Sequence, residues 1–235
     1  MKAKAILLDT TYCTGCNTCA YRCIQEYRTH DAASRGNFRT FVQINDAGLY
    51  HRRCMHCLDP DCVKNCPVQA LTRTEYGTVL YDKDKCIGCQ TCVRTCPFHV
   101  PQFDATTRKI TKCSLCAHRV TQGKTPACVE VCPTGALVYG DYEEMLAEAR
   151  KRAAKEKLQI YGAKENGGTH LFVLAAGDPV KMGYPKVAGR ALSKARGAGV
   201  DAGVPVHAAL AVTGFKKFSD RRTRVQAETE KKHDR

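Results

Sequence analysis

Long apolar runs are missing from this sequence. Residues 204–215 form an apolar stretch of about 12 residues, whereas a bilayer span needs about 20. The stretch runs directly into Lys216, Lys217, Arg221, Arg222 and Arg224. It reads as a short helix docking on a partner, with an interfacial helix as the alternative. Residues 1–10 lack an extended apolar segment with a small-residue cleavage site, so no export signal is expected there. Also absent are a glycine-rich phosphate loop ending in Lys-Ser/Thr, an H-E-x-x-H helix and a G-x-S-x-G elbow. Gly167-Gly168 alone is too weak a signal for a nucleotide site. No catalytic residue is therefore expected in this chain.

What the sequence does have is cysteine, 16 in 235 residues. A disulfide scaffold is the first reading, but such scaffolds are short secreted chains. These cysteines instead stand two or three residues apart in tight runs, which suits shared metal sites. The runs are Cys13, Cys16, Cys19, Cys23; Cys54, Cys57, Cys62, Cys66; Cys86, Cys89, Cys92, Cys96; and Cys113, Cys116, Cys128, Cys132. The third is C-x2-C-x2-C-x3-C followed by Pro97, the bacterial ferredoxin run. The first has the same spacing with Ile24 in place of proline. The second and fourth widen one gap and keep Pro67 and Pro133.

The spacing has a chemical reason. Three thiolates close in sequence can wrap three iron corners of one [4Fe–4S] cube. The fourth cysteine, turned away by proline, reaches the neighbouring cube. Runs then work in pairs, and four runs complete four cubes with no thiol left over. Zinc ribbons also use C-x2-C pairs, but two pairs about 15–20 residues apart serve one ion, and the triplet run favours iron. His56, His99 and His118 sit inside or beside the runs. With every cube complete, their expected role is to hydrogen-bond cluster sulfur or backbone.

The formal charge of +14 would ordinarily suggest a nucleic-acid or anionic-membrane partner. Each oxidised cluster with four thiolates carries roughly −2, so four of them leave about +6. No nucleic-acid partner is expected.

The remaining pattern is sparse. Residues 5–9, 78–82 and 169–175 read as strands. Asp141 followed by Glu144 predicts a capped helix start, with the helix running to about Leu158. From Gly183 to Pro205 the chain is rich in Gly, Ala and Lys, an extended arm or linker.

Several stretches resemble the iron–sulfur subunit of the dimethyl-sulfoxide-reductase superfamily of molybdenum or tungsten enzymes. They look most like the beta subunit of formate dehydrogenases. They include Cys54-Met-His-Cys-Leu-Asp-Pro, Cys86-Ile-Gly-Cys, Cys113-Ser-Leu-Cys-Ala-His-Arg-Val, Cys132-Pro-Thr-Gly-Ala-Leu and Gly167-Gly-Thr-His. The resemblance covers about Asp9 to Pro185. It implies an α+β fold of two nested ferredoxin-like modules: residues 1–45 with 105–140 outside, and 46–104 inside. Residues 141–182 would form a packing extension and 183–235 an arm, docking helix and basic tail. It also implies crossed ligation. Cys13, Cys16 and Cys19 would share a cluster with Cys132, and Cys113, Cys116 and Cys128 one with Cys23. Cys54, Cys57 and Cys62 would pair with Cys96, and Cys86, Cys89 and Cys92 with Cys66.

The chain would relay electrons between a molybdenum- or tungsten-bis-pterin catalytic subunit and an acceptor subunit, entering at the Cys13 cluster and leaving at the Cys86 cluster. Sister systems keep the same frame: hydrogenase, polysulfide or thiosulfate reductase, and nitrite reductase. A free-standing polyferredoxin is a third possibility, which the long tail after Tyr139 disfavours. Membrane-attached relatives end in a transmembrane helix, and residues 204–215 are too short for one. Either a cytoplasmic complex or one co-exported with a partner carrying a twin-arginine signal fits.

Overall fold

The computed structural model describes residues 2–189. The expected docking helix at 204–215, the basic tail and most of the arm lie outside those residues. Strand β1 (Lys4–Asp9) leads into the first cysteine run, whose second half lies on helix α1 (Thr18–Tyr27). Helix α2 (His30–Ser34) precedes the strands β2 (Thr40–Asn45) and β3 (Gly48–Arg53), then helix α3 (Asp61–Lys64). Next come β4 (Leu71–Arg73), β5 (Val79–Tyr81), helix α4 (Thr91–Thr95), β6 (Gln102–Asp104) and β7 (Lys109–Thr111). Helices α5 (Ala117–Val120) and α6 (Ala127–Glu130) carry the chain into β8 (Leu137–Asp141) and α7 (Tyr142–Glu156). Strands β9 (Gln159–Tyr161) and β10 (Leu171–Ala175) and helix α8 (Pro179–Met182) complete a mixed α and β fold.

An antiparallel hairpin joins each run to the next. Strands β2 and β3 pair Thr40 with Arg53, bringing the exit of run one beside the entry of run two. Strands β4 and β5 do the same for runs two and three, and Asp82 N donates to Ala70 O at 2.8 Å just beyond them. Strands β6 and β7 pair Gln102 with Thr111, between runs three and four. The circle closes through β1 and β8, paired antiparallel from Lys4↔Asp141 to Leu8↔Leu137. Asp9 N donates to Ala136 O at 2.8 Å. Runs one and four, far apart in sequence, are therefore neighbours because the strands that flank them are.

Strands β1 and β8 belong to a four-stranded sheet of order β8-β1-β10-β9, with β1 and β10 parallel. Both central strands are apolar on both faces, as a strand covered on both sides must be. Period two sends Ala5, Leu7, Phe172 and Leu174 to one face, where Met145 and Ala149 of α7 cover them. Ile6, Leu8, Leu171, Val173 and Ala175 face the other way, among Cys19, Cys128 and Met55. Helix α7 is made of strong helix formers, with Glu143 and Glu144 in its first turn and Lys155 in its last.

The strands expected at 5–9, 78–82 and 169–175 are β1, β5 and β10, and the expected helix is α7. Its cap differs from expectation. Asp141 stands at the N-cap position but makes no cap hydrogen bond; its carboxylate pairs with Lys4 and with Lys2. Two lysines on the neighbouring strand segment outcompete a backbone N–H for it. The start of the expected arm also packs on this chain. Tyr184 is buried, edge-on to Tyr50 at 4.8 Å, and Tyr161 Oη donates to Pro185 O at 2.7 Å.

Candidate metal centres

None of the sixteen cysteines forms a disulfide. In each run the residue before the second cysteine is left-handed: Gly15, His56, Gly88 and Leu115, with φ of 71°, 49°, 72° and 53°. This turn curls the loop so that backbone N–H groups face sulfur. Gly88 N donates to Cys86 Sγ at 3.4 Å, and Leu115 N to Cys113 Sγ at 3.3 Å. At Gly88 the choice of residue is steric as well, since a Cβ there would lie 2.5 Å from Arg108 O.

The last two cysteines of each run are four residues apart and sit on or just past a helix. Cys19 and Cys23 lie on α1, and Cys128 on α6 is followed by Cys132. Cys62 on α3 is followed by Cys66, and Cys92 on α4 by Cys96. A four-residue step is about one turn, which keeps both thiols on one side and separates them along the axis by about 6 Å. Each helix can thus serve two neighbouring sites. Proline after the last cysteine stops α3, α4 and α6 short, because the residue before proline avoids the helical region. Ile24 imposes no such stop, and α1 continues to Tyr27.

Three cavities result. One is lined by Cys13, Cys16, Cys19 and Cys132, with Pro133, Leu8 and His51 in its wall. A second is lined by Cys23, Cys113, Cys116 and Cys128, with Arg53 and Tyr27. A third is lined by Cys66, Cys86, Cys89 and Cys92. Of the remaining cysteines, Cys57 and Cys62 have thiols raised by burial, to which the nearby Cys54 and Cys96 add. Among the described residues, no group of three or more His, Cys, Asp or Glu side chains converges tightly enough to chelate a single ion. The thiols surround a volume, which suits a polynuclear cluster better than one zinc at about 2.3 Å from each sulfur.

The electrostatics agree with that chemistry. Burial pushes the Cys19 and Cys57 thiols up to about 12 and Cys92 and Cys116 to about 11, and neighbouring cysteines push the same way. Thiolates are the metal-binding form, so these pockets need strong positive charge at their centres before the sulfurs ionise. Iron supplies it, and the donor set fits an iron–sulfur cluster. The cysteines differ in exposure. Cys16 and Cys89 are exposed, whereas Cys23, Cys113, Cys116 and Cys128 are buried.

The histidines divide. His56 accepts from Val79 N at 3.0 Å through Nδ1, a backbone role. His118 bonds neither sulfur nor backbone through its ring; its Nε2 meets Glu26 Oε1 at 2.7 Å, in a rim network with Arg119 and Arg22. That corrects the expected role, because α5 turns the ring outward to a carboxylate on α1. His99 is exposed, and its carbonyl accepts from Arg52 at 2.9 Å. At the Gly167-Gly168 pair, Gly168 O accepts from Leu58 N at 3.0 Å, backing the Cys54–Cys57 loop.

Sequence reasoning missed three residues that touch the sites. His51 lines the first cavity, with Nε2 2.7 Å from Thr40 Oγ1 and 3.7 Å from Cys19 Sγ. Arg53, 2 % exposed, donates from Nη2 to Cys128 Sγ at 3.4 Å and to Cys113 Sγ at 3.9 Å. Lys112, also 2 % exposed, donates from Nζ to Val79 O at 2.5 Å and Cys113 O at 2.7 Å. A signal existed: Arg53, Lys85 and Lys112 each stand immediately before the first cysteine of a run.

Cysteine-lined cavities strung through small ferredoxin-type loops define an iron–sulfur electron-transfer protein. Residues 46–142 match the 4Fe–4S dicluster domain. The chain is 33% identical to the iron–sulfur subunit of the nitrate-inducible formate dehydrogenase of Escherichia coli strain K12, over 77% of this chain and 72% of that one. It is 32% identical to the hydrogenase-2 operon protein HybA of Escherichia coli O157:H7, over 77% and 73%. Against the formate dehydrogenase iron–sulfur subunit of Haemophilus influenzae the figures are 33%, 77% and 68%. The chain belongs to this family of 4Fe–4S iron–sulfur subunits, whose members transfer electrons and leave catalysis to other chains. Among the described residues no helix is long and apolar enough to cross a membrane.

Proposed function

We propose that the chain holds four [4Fe–4S] clusters and relays electrons between a molybdenum- or tungsten-bis-pterin catalytic subunit, that of a formate dehydrogenase, and an acceptor subunit. When bound, each cluster takes up and releases one electron at a time. The sixteen cysteines hold the clusters crosswise: Cys13, Cys16, Cys19 with Cys132; Cys113, Cys116, Cys128 with Cys23; Cys54, Cys57, Cys62 with Cys96; and Cys86, Cys89, Cys92 with Cys66. The carrying observation is that three cavities are each lined by three thiols of one run and the last thiol of another. Residues 1–45 with 105–140 form one ferredoxin-like module around that of 46–104, followed by the extension at 141–182.

Electrons enter at the Cys13 site and leave at the Cys86 site. The exposure of Cys16 and Cys89, against the burial of Cys113, Cys116 and Cys128, supports a line with two accessible ends. The same relay in a hydrogenase is the second reading, favoured by the likeness to HybA. Elemental analysis of anaerobically purified protein tests the proposal. About 16 iron atoms and as many acid-labile sulfides per chain, with negligible zinc, are expected. About 8 iron atoms with stoichiometric zinc would overturn it.

A further inference from the structure

Two buried cations lie beside the cysteine runs, each immediately before the first cysteine of a run. Arg53 precedes Cys54, the first cysteine of run two, yet its guanidinium reaches Cys113 and Cys128, cysteines of run four. Lys112 precedes Cys113, the first cysteine of run four. Its ammonium is held between Val79 O, on the strand leading into run three, and Cys113 O, at the start of run four. Arg53 thus starts at one pair of runs and reaches the other, and Lys112 bridges the two. Both side chains are 2 % exposed.

Burying a charge is costly unless it is compensated. Reduction adds one negative charge to a site, and in the interior no water is at hand to stabilise it. An uncompensated interior site would be harder to reduce than its exposed neighbours, and an electron would stall before it. A guanidinium is always charged and needs no proton transfer to offset the added electron.

We infer that Arg53 and Lys112 are positioning residues that hold two fixed positive charges between the interior pair of clusters, keeping those clusters reducible so that the relay runs through. The inference rests on the four-cluster reading. Apart from charge, each residue has a packing role; Lys112, for instance, ties Val79 O to Cys113 O. Methionine keeps apolar bulk and removes the charge.

The test is a reductive titration of the full-length, cluster-loaded chain followed by electron paramagnetic resonance, with iron counted in every sample. A nearby unit charge commonly moves a buried ionisation by one to three pKa units, and the same field acts on an added electron. Arg53→Met should therefore leave one cluster about tenfold less reduced at a fixed ambient potential, a shift of roughly 59 mV for one electron. Arg53→Lys should restore most of it, and Lys112→Met should shift a second cluster. Unchanged potentials at full iron content would overturn the inference. So would an Arg53→Lys shift as large as that of Arg53→Met, or loss of iron from all three variants, which would make the role packing. If only Arg53→Met loses iron, the wild-type potential of Arg53→Lys and the shift in Lys112→Met carry the case. Wild-type iron far below about 16 atoms would instead strike the four-cluster reading and take the inference with it.

Discussion

The two faces of the four-stranded sheet use the same strands and depend on different things. On one face Ala5, Leu7, Phe172 and Leu174 meet Met145 and Ala149 of α7 in an apolar layer complete in itself. On the other, Ile6, Leu8 and Val173 join a core shared with Cys19, Cys128 and Cys132, whose thiols wall two of the cysteine-lined cavities. The first face is stabilised by burial, at about 1.5–3 kcal/mol for each large side chain. The second is complete only when the thiols are ionised around metal. One sheet therefore joins a metal-independent half to a metal-dependent half, and the two should respond to perturbation separately.

The strongest way to break the comparison is to strip the metal. A metal centre that exists only in the folded state contributes its binding free energy to folding, on the order of 10 kcal/mol for a structural zinc site. Chelation of iron under anaerobic conditions should abolish amide-exchange protection across the loops from Cys13 to Cys132. Protection should persist, at least in part, in β1, β10 and α7. Uniform loss over both regions would show that the helix side has no stability of its own.

A smaller cut is made on the helix side alone. Phe172 is fully buried and packs edge-on to Tyr142 at 5.3 Å. Phe172→Ala should cost about 3–5 kcal/mol, read as a lower denaturant midpoint. Iron content and cluster potentials should stay at wild-type values. A changed potential would mean that the sheet transmits packing from one face to the other.

The two halves also differed in how far the sequence could be read. The cysteine loops were legible because their chemistry is local. Spacings of two and three residues, and proline after the last cysteine, name the cofactor without any knowledge of the fold. β1, β5, β10 and α7 were legible through their apolar pattern. The illegible parts depend on partners distant in sequence. Asp141 reads as a helix cap until β1 places Lys4 beside it. His118 looks like a sulfur donor until α5 sets it against Glu26 of α1, 92 residues away. Arg53 and Lys112 carry only a positional signal, the place just before a run's first cysteine, which Lys85 shares; that their side chains turn inward depends on contacts distant in sequence. The hairpins that carry run one to run two, and run three to run four, were not expected either; Gln43 and Asn45 break the apolar pattern of β2, and β6 is three residues with one apolar side chain.

The finest cut uses pH at the edge of the helix side. His170 precedes β10, and its Nδ1 lies 2.6 Å from Lys4 O, so Nδ1 carries the hydrogen and donates it. Nε2 is then a lone-pair acceptor, buried and without a partner. The ring has no room to move, since a Cβ on Gly77 would fall 1.9 Å from it. Burial lowers the His170 pKa to about 4; the hydrogen bond to Lys4 O opposes this and the Arg73 charge adds to it. The unfolded chain binds the proton near the ordinary value of about 6.5. Between those two values the unfolded state holds more protons than the folded one, so stability falls as pH drops from 6.5 towards 4 and levels off below. From pH 7 to pH 5 the loss due to His170 should be about 2 kcal/mol. Burial also holds His51 and His56 neutral, so they add acid sensitivity of the same sign on the cysteine side. Urea midpoints of wild type and His170→Gln, measured at both pH values with iron loaded, isolate the contribution of His170. The variant should lose less stability on acidification than wild type, by about that amount. Equal acid losses in the two proteins would place the pH sensitivity entirely on the cysteine side, leaving the helix half indifferent to protons as well as to metal.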